Sequence, residues 1–480
     1  MSHHDPAVVR SRLAQVGQEH LLAFYDRLSA EQRRALLAQI AAIDLDALPG
    51  WVKAYVTNKP APTIPTDLSR IAPAPYYPFD ASGPRGYDAA KFRKAGEELL
   101  RAGKVAAFVV AGGQGSRLGF EGPKGCYPAT PITRKALFQV FAEQILAATR
   151  RYGRPIPWAI MTSPLNHAAT VAYFEQHRFF GLGGENVMFF PQGVMPSFDL
   201  ATGKILLAGP HEIATNPDGH GGAVSALHAS GTLETLASRG IEHLSYFQVD
   251  NPHVKVIDPL FLGLHAAAPD SSGEMSSKMI PKASWDEKVG VFCTIDGKLD
   301  VIEYSDMPAE LARATNADGS LRFAAGSIAI HVISIAFLRR LATDPTVSLP
   351  FHRAEKKIPH VDPATGQAVS PSGNNGVKLE RFIFDALSRA ARSIVLETER
   401  VEEFAPIKNA TGTDSVESSQ RLQTLRAARW LARCGTKVPT RPDGQPDCVI
   451  ELSPLSGGSP DDLACTRMPR EIEPGAQLIL

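Results

Sequence analysis

A mostly parallel, doubly wound α/β sheet, with a helical N-terminal arm and a small C-terminal β module, is the fold the sequence predicts, and three observations predict it. Short apolar runs typical of strands buried on both faces recur at "KVAAFVVAGG", "PIPWAIMTS", "NVMFFPQ" and "IEHLSYFQVDN". Helical patterns such as "RKALFQVFAEQILAATRRYG", "NHAATVAYFEQH" and "GGAVSALHASGTLETLASRG" separate them. Three of the runs finish at Gly112, Gln192 and Asp250, and ligands of such sheets sit at the carboxyl ends of the strands.

Around this centre the elements follow in order. Residues 8–56 carry apolar positions at helical spacing, and Ser29 with Gln32 forms a capping box for the second helix. Proline recurs across 59–84 ("KPAPTIP", "APAPYYP"), which predicts an extended connector. The helix "AAKFRKAGEELLRAG" then leads into the first buried strand. From about 277 the runs shorten and alternate, and Asp296-Gly297 predicts a hairpin turn within "KVGVFCTIDGKLDVIEYSD". "GSIAIHVISIAFLRRL" and "GVKLERFIFDALSRA" resume the alternation of sheet and helix. After Asn409 a helix, "SSQRLQTLRAARWLARCG", precedes a Gly- and Pro-rich tail with short strand candidates "DCVIELS" and "AQLIL". The expected division is an arm and connector over 1–95, a main domain over 96–408 and an α+β module over 409–480.

The chain has 480 residues, long for one domain, and its 50 basic and 50 acidic residues leave no global field to attract nucleic acid or an anionic membrane. Any anionic ligand needs a local site. No apolar run reaches the length of a membrane span, and "MSHHDPAVVRSRL" lacks the apolar core of a signal peptide, so a soluble, cytoplasmic protein is expected. The five cysteines (Cys126, Cys293, Cys434, Cys448, Cys465) are scattered without a CxxC pair, which argues against a disulfide framework or zinc site. Cys126, near the glycine loop, has no basic partner in sequence and reads as a packing residue.

The stretch "FVVAGGQGSRLGFEGPKGCYP" concentrates the chemistry. A dinucleotide fingerprint from Gly113 fails because its last glycine falls on Leu118. A Walker A loop fails because Phe120 stands where its second glycine belongs, and Lys124 precedes Gly125. What remains is a loop in which Gly112, Gly113 and Gly115 let peptide N–H groups approach phosphate oxygens, with Arg117 as a forked cation and Lys124 as a point charge.

"AGGQGSRLGFEGPKG" resembles the signature of nucleotidyltransferases that make nucleotide-sugars. "KALFQ", "MTSPLNH", "FFPQ", "NPDGHGG", "QVDNP", "VIEYSD", "AGSIAIH", "NGVKLERFIFD", "EEFAPIKNA" and "VIELSPL" are similar, in order, to segments of the eukaryotic-type UDP-sugar pyrophosphorylases, most closely the branch acting on N-acetylglucosamine 1-phosphate. The resemblance implies a three-layer, Rossmann-like nucleotide-diphospho-sugar transferase fold and attack of a sugar 1-phosphate on the α-phosphorus of UTP, releasing pyrophosphate. Such catalysis is positioning and charge neutralisation. On this resemblance Gly112, Gly113, Gly115 and Ser116 cradle the UTP phosphates, Arg117 stabilises charge on the leaving pyrophosphate, Lys124 holds the α-phosphate region, Lys408 contacts the phosphates, and Asp250 binds Mg²⁺. Gln192, Pro217, Gly219 and Gly222 are expected at the uridine.

For the sugar, the resemblance points to His220, Asn251, Glu303, Gly326, Ser327 and Phe382. Phe382 and Phe384 either wall a sugar pocket or belong to the core. Two positions depart from the acetamido-sugar pattern: His220 stands in "PDGHGG" where "PDGNGG" is usual, and Ser327 follows Gly326 where "GN" is usual. A glucose 1-phosphate or broad-specificity enzyme is therefore the alternative, and a non-catalytic nucleotide-sugar sensor is the alternative from another class.

Overall fold

The runs expected as buried strands form one side of a ten-stranded sheet in the larger of two compact units, which comprises Ile64–Pro191, Val224–Ser348 and Phe384–Leu480. The structure, a computed structural model, describes residues 5–60, 64–463 and 468–480. Cys465 and residues 61–63 of the proline-rich stretch lie outside the described residues. Strands His243–Gln248, Val105–Val110, Trp158–Thr162 and Val187–Pro191 lie side by side in that order, all parallel. Parallel neighbours need crossovers, which the helices Leu137–Tyr152 and His167–Gln176 supply. Phe138 and Phe141 of the first helix pack edge-on to Trp158 and Phe247 of the sheet. Because Ala107, Phe108, Val109, Ile160 and Met161 are all fully buried, the strands carry no polar alternation.

Beyond His243–Gln248 the pairing turns antiparallel, apart from Val395–Glu397, which runs parallel to Met275–Pro281. Ala325–Ser334 pairs with it and with Met275–Pro281. The expected hairpin is present as Val291–Ile295 and Lys298–Ile302, with Asp296 and Gly297 at φ 51° and 79°, the left-handed pair a tight hairpin turn requires. Two expectations need correction. The proline-rich connector is not wholly extended coil: Ile71–Pro73 adds an edge strand to Val291–Ile295, where proline costs no ladder bond, and Arg70 is held by a bidentate pair to Asp296. The stretch read as one helix after Gly222 is two, Ala223–Ala229 and Thr232–Ser238, parted at Gly231 with φ 74°.

The smaller unit comprises the N-terminal segment with Gln192–Ala223 and Leu349–Ile383. Its helix Ala30–Ala41 starts on the expected Ser29–Gln32 capping box. Leu36 and Ile40 of that helix share one buried cluster with Phe198, Ile205, Val377 and Leu379. Gly376–Glu380, expected to extend the main sheet, instead pairs antiparallel with His352–Lys356 and Phe198–Asp199 here. Its partners are remote in sequence, so local pattern could not assign it.

In the larger unit the C-terminal residues form the expected helix, Val416–Arg433, and a two-stranded parallel pair, Val449–Glu451 with Gln477–Ile479. Among the described residues no helix is long and apolar enough to cross a membrane.

Candidate active site

The glycine loop leaves the end of the Val105–Val110 strand and closes on its own continuation. Gly115 N–H donates to the Gly122 carbonyl at 3.0 Å, and Lys124 N–H to the Gly113 carbonyl at 3.1 Å. The two halves of "GGQGSRLGFEGPKG" are thereby one device, and Lys124 is set by the loop that precedes it. Gly125 has a reason to be glycine: a Cβ there would come within 2.1 Å of the Phe138 ring. Beneath the loop, the buried Asn166 donates to the Ala111 and Gly113 carbonyls at 3.0 and 3.3 Å. Asn166 escaped the sequence reading, because an Asn before a helix reads as an ordinary turn or cap.

Asp250 follows the neighbouring strand, and its Oδ2 lies 3.7 Å from Lys124 Nζ, both side chains largely buried. Arg117 is exposed on a short 3₁₀ turn, Ser116–Leu118, and makes no ion pair among the described residues. Cys126 is inert as a nucleophile, since burial pushes its thiol up to about 12.

Lys408 is brought near by hydrogen bonds of its own segment. Ile407 N–H donates to the Asp250 carbonyl at 2.8 Å. Asn251 Nδ2 donates to the Glu403 carbonyl at 2.6 Å, while Ala405 N–H and His253 N–H donate to Asn251 Oδ1 at 3.0 and 3.2 Å. Asn251, expected at the sugar, is buried and holds backbone with its carboxamide, because the 403–407 segment has no regular partner of its own. The Lys408 ammonium sits 3.7 Å from Asp414 Oδ2 and over the Phe404 ring.

Glu403 is fixed from beneath. Lys278, fully buried, donates to Asp258 Oδ2 at 2.6 Å and to both Glu403 oxygens at 2.7 Å. Burial works against the Lys278 charge, but the two carboxylates outweigh it and hold the ammonium above its ordinary range. Asp258, against burial, is held below the usual carboxylate range by Lys278 and Lys255.

Three expected sugar residues of this unit converge around Gly290. Ser327 N–H donates to the Gly290 carbonyl at 2.7 Å, and a Cβ at Gly290 would meet Glu303 Oε1 at 3.1 Å. A Cβ at the adjacent Gly326 would meet Lys282 at 3.4 Å. Lys282, buried with its ammonium on the Trp285 carbonyl, was missed; the available signal was a cation directly after the Met275–Pro281 strand.

In the smaller unit the "PDGHGG" loop lies on the segment carrying Phe382. Gly221 N–H donates to the Arg381 carbonyl and Arg381 N–H to the Asp218 carbonyl, each at 2.8 Å. Gly219 has φ 82°, and a Cβ there would collide with the Arg381 backbone at 2.3 Å. Only glycine fits. Ile383 N–H donates to His220 Nδ1 at 3.2 Å, which places the ring proton on Nε2, and the imidazole stacks on Phe382. Burial, with His352 nearby, pushes His220 down to about 4, so it is neutral at pH 7. Phe384, by contrast, is a buried residue of the larger unit.

Gln192 lies just before the ribbon of Val194–Pro196 and Thr215–Pro217, in which Pro217 is paired with Val194. The buried Asp218 between Gly193 and Gly222 is pushed up to about 7 by burial, against the Arg381 charge and a hydrogen bond from Gln192. A folded-state value above the unfolded one means this group supports folding below about pH 4 and withdraws that support as pH rises through about 7. The melting temperature of Asp218→Asn is therefore expected to fall less than that of the wild type between pH 4 and 8. Parallel curves would show that Asp218 is ionised at ordinary cost.

Among the described residues no three His, Cys, Asp or Glu side chains cluster as a metal site. The donor set at Asp250 nevertheless fits Mg²⁺, which is commonly held by one or two carboxylates together with substrate phosphates and water.

A strand-end phosphate loop with two cations and one carboxylate on a mixed α/β sheet is the equipment of a nucleotidyltransferase, and the comparisons with known proteins agree. Residues 84–433 match the family described as UTP–glucose-1-phosphate uridylyltransferase. The chain is similar to the human UDP-N-acetylhexosamine pyrophosphorylase-like protein 1, 35% identical over 97% of this chain and 95% of the relative. It is also similar to the UDP-N-acetylglucosamine pyrophosphorylase of Saccharomyces cerevisiae, 34% identical over 88% of this chain and 91% of that protein. Among solved structures, the uridine diphosphate N-acetylglucosamine pyrophosphorylase of Trypanosoma brucei, in complex with inhibitor, superposes with a TM-score of 0.81 at 26% identity, covering 100% of this chain and 98% of the other. The chain belongs to the UTP–glucose-1-phosphate uridylyltransferase family and is a uridylyltransferase of the pyrophosphorylase type.

Proposed function

We propose that the protein makes UDP-N-acetylglucosamine and pyrophosphate from UTP and N-acetylglucosamine 1-phosphate, on a three-layer α/β/α scaffold and in the cytoplasm. The observation that carries the chemistry is the closed loop that sets Lys124 3.7 Å from Asp250 at the strand ends. The amides of Gly112, Gly113, Gly115 and Ser116 hold the UTP phosphates, and the exposed Arg117 neutralises charge on the departing pyrophosphate. Lys124 steadies the α-phosphate region while Lys408 adds a second point charge. Asp250 would hold Mg²⁺, which supplies charge neutralisation on phosphate oxygens. Gln192 reads the uracil edge, with Pro217, Gly219 and Gly222 giving close backbone. Glu303, Gly326, Ser327, His220 and Phe382 are the residues for the hexose.

The sugar choice follows the three relatives described above, which are named for N-acetylhexosamine or N-acetylglucosamine. His220 and Ser327 favour the second reading, a glucose or broad-specificity enzyme. Pyrophosphate release from UTP, measured with each sugar 1-phosphate, separates them. N-acetylglucosamine 1-phosphate should be used best, and His220→Asn should raise its kcat/KM relative to glucose 1-phosphate by roughly tenfold. Faster turnover of glucose 1-phosphate by the wild type would overturn the sugar assignment. No release with any sugar would favour a nucleotide-sugar sensor.

A further inference from the structure

We propose that the C-terminal segment supplies a positioning residue for uridylyl transfer, Glu451, which acts on Lys124 through the loop of residues 129–135. The proposal rests on the placement of Lys124 in the transfer chemistry given above. The loop is the direct continuation of the turn Lys124–Cys126: Tyr127 N–H donates to the Lys124 carbonyl, and Leu137 N–H to the Tyr127 carbonyl. Between these points the chain makes an excursion closed by an Ala129 N–H to Lys135 carbonyl bond at 2.8 Å. Its tip is strained, since Arg134 adopts φ 59° without being glycine. Something must hold it.

The holder is remote in sequence. Glu451, the last residue of the Val449–Glu451 strand and buried, accepts from Ile132 N–H at 2.8 Å, from Thr133 N–H at 2.7 Å and from the Thr133 hydroxyl. Two amides and a hydroxyl converging on one buried carboxylate make a charge-assisted clamp. From the helix Val416–Arg433, Gln420 donates to the Thr130 carbonyl at 3.1 Å and Gln423 to the Ala129 carbonyl at 3.1 Å, so donors and acceptors of the loop are both met by the C-terminal segment. With this end clamped and Gly125 pressed on Phe138, the Lys124 turn is pinned from both sides. Transfer that depends on ångström placement of a cation is sensitive to such a pin.

The test is a double-mutant cycle on the full chain, read by pyrophosphate release with UTP and N-acetylglucosamine 1-phosphate. Glu451→Ala should lower kcat about tenfold or more with little change in the KM for the sugar phosphate, and Glu451→Gln, which keeps an acceptor oxygen, should lose less. In a Lys124→Ala background the same Glu451→Ala change should cost less than about twofold, because the group it positions is gone. Should Glu451→Ala fail to fold, Glu451→Gln and Gln420→Ala carry the same cycle. A Glu451→Ala enzyme with near-wild-type kcat, or an equal loss in both backgrounds, overturns the proposal. A wild type that releases no pyrophosphate at all instead overturns the reading of the site.

Discussion

Lys124→Ala is expected to lower kcat by at least about 100-fold, because it removes a cation aimed at charge that develops during transfer. Thermal stability should change little. The side chain is held by one long ion pair and by no hydrogen bond to another side chain among the described residues, so few folding contacts are lost with it. Lys124→Arg should rescue only part of the rate, since a planar guanidinium cannot take the place of a compact ammonium at a fixed spacing. Asp250→Ala should match the loss, and its activity should no longer respond to Mg²⁺ across the range over which the wild type responds. Pyrophosphate release and a melting curve on the same preparations check both. Either alanine variant turning over within about threefold of wild type would remove that residue from the catalytic role.

That prediction was readable from sequence because both halves of the loop are local. Glycines, a fork and a point charge within a few residues give a signal that needs no partner, and failed register excluded the two commoner loops. The capping box at Ser29 and the Asp296-Gly297 hairpin were readable for the same reason, each being a rule of four residues or fewer. What escaped depends on chain segments far apart. Gly376–Glu380 has the period of a sheet strand, yet period does not say which sheet. Ile71–Pro73 was hidden by its proline, which edge pairing tolerates, and by the prolines around it. Asn251 shows a task the motif did not mark: its carboxamide braces backbone, and only the hydrogen bonds with Glu403 and Ala405 reveal it.

Lys278→Met should destabilise the fold by about 3–5 kcal/mol, the largest stability loss expected of any single substitution considered for this chain. Lys278 is entirely enclosed, and its three short bonds balance Asp258 and Glu403, themselves nearly or wholly buried. Deleting the lysine leaves two desolvated carboxylates facing each other with nothing between, and like charges at that depth cannot both stay ionised. Glu403→Gln should cost less, since Lys278 keeps Asp258. The urea midpoint measures both, and a pH series adds a sign: with the lysine gone, at least one carboxylate should take up a proton on folding, so the variant should regain stability as pH falls from 7 toward 5, where the wild type has no such gain. A shift below about 1 kcal/mol at pH 7 would show that water reaches the triad and that it does not anchor the fold. The consequence for transfer follows from connectivity. Glu403 begins the segment whose Ala405 and Ile407 amides are tied to Asn251 and Asp250, and that segment ends at Lys408. A buried charge cluster drawn from residues 258, 278 and 403 thus fixes the segment that carries Lys408 past Asp250, the aspartate proposed above to hold Mg²⁺.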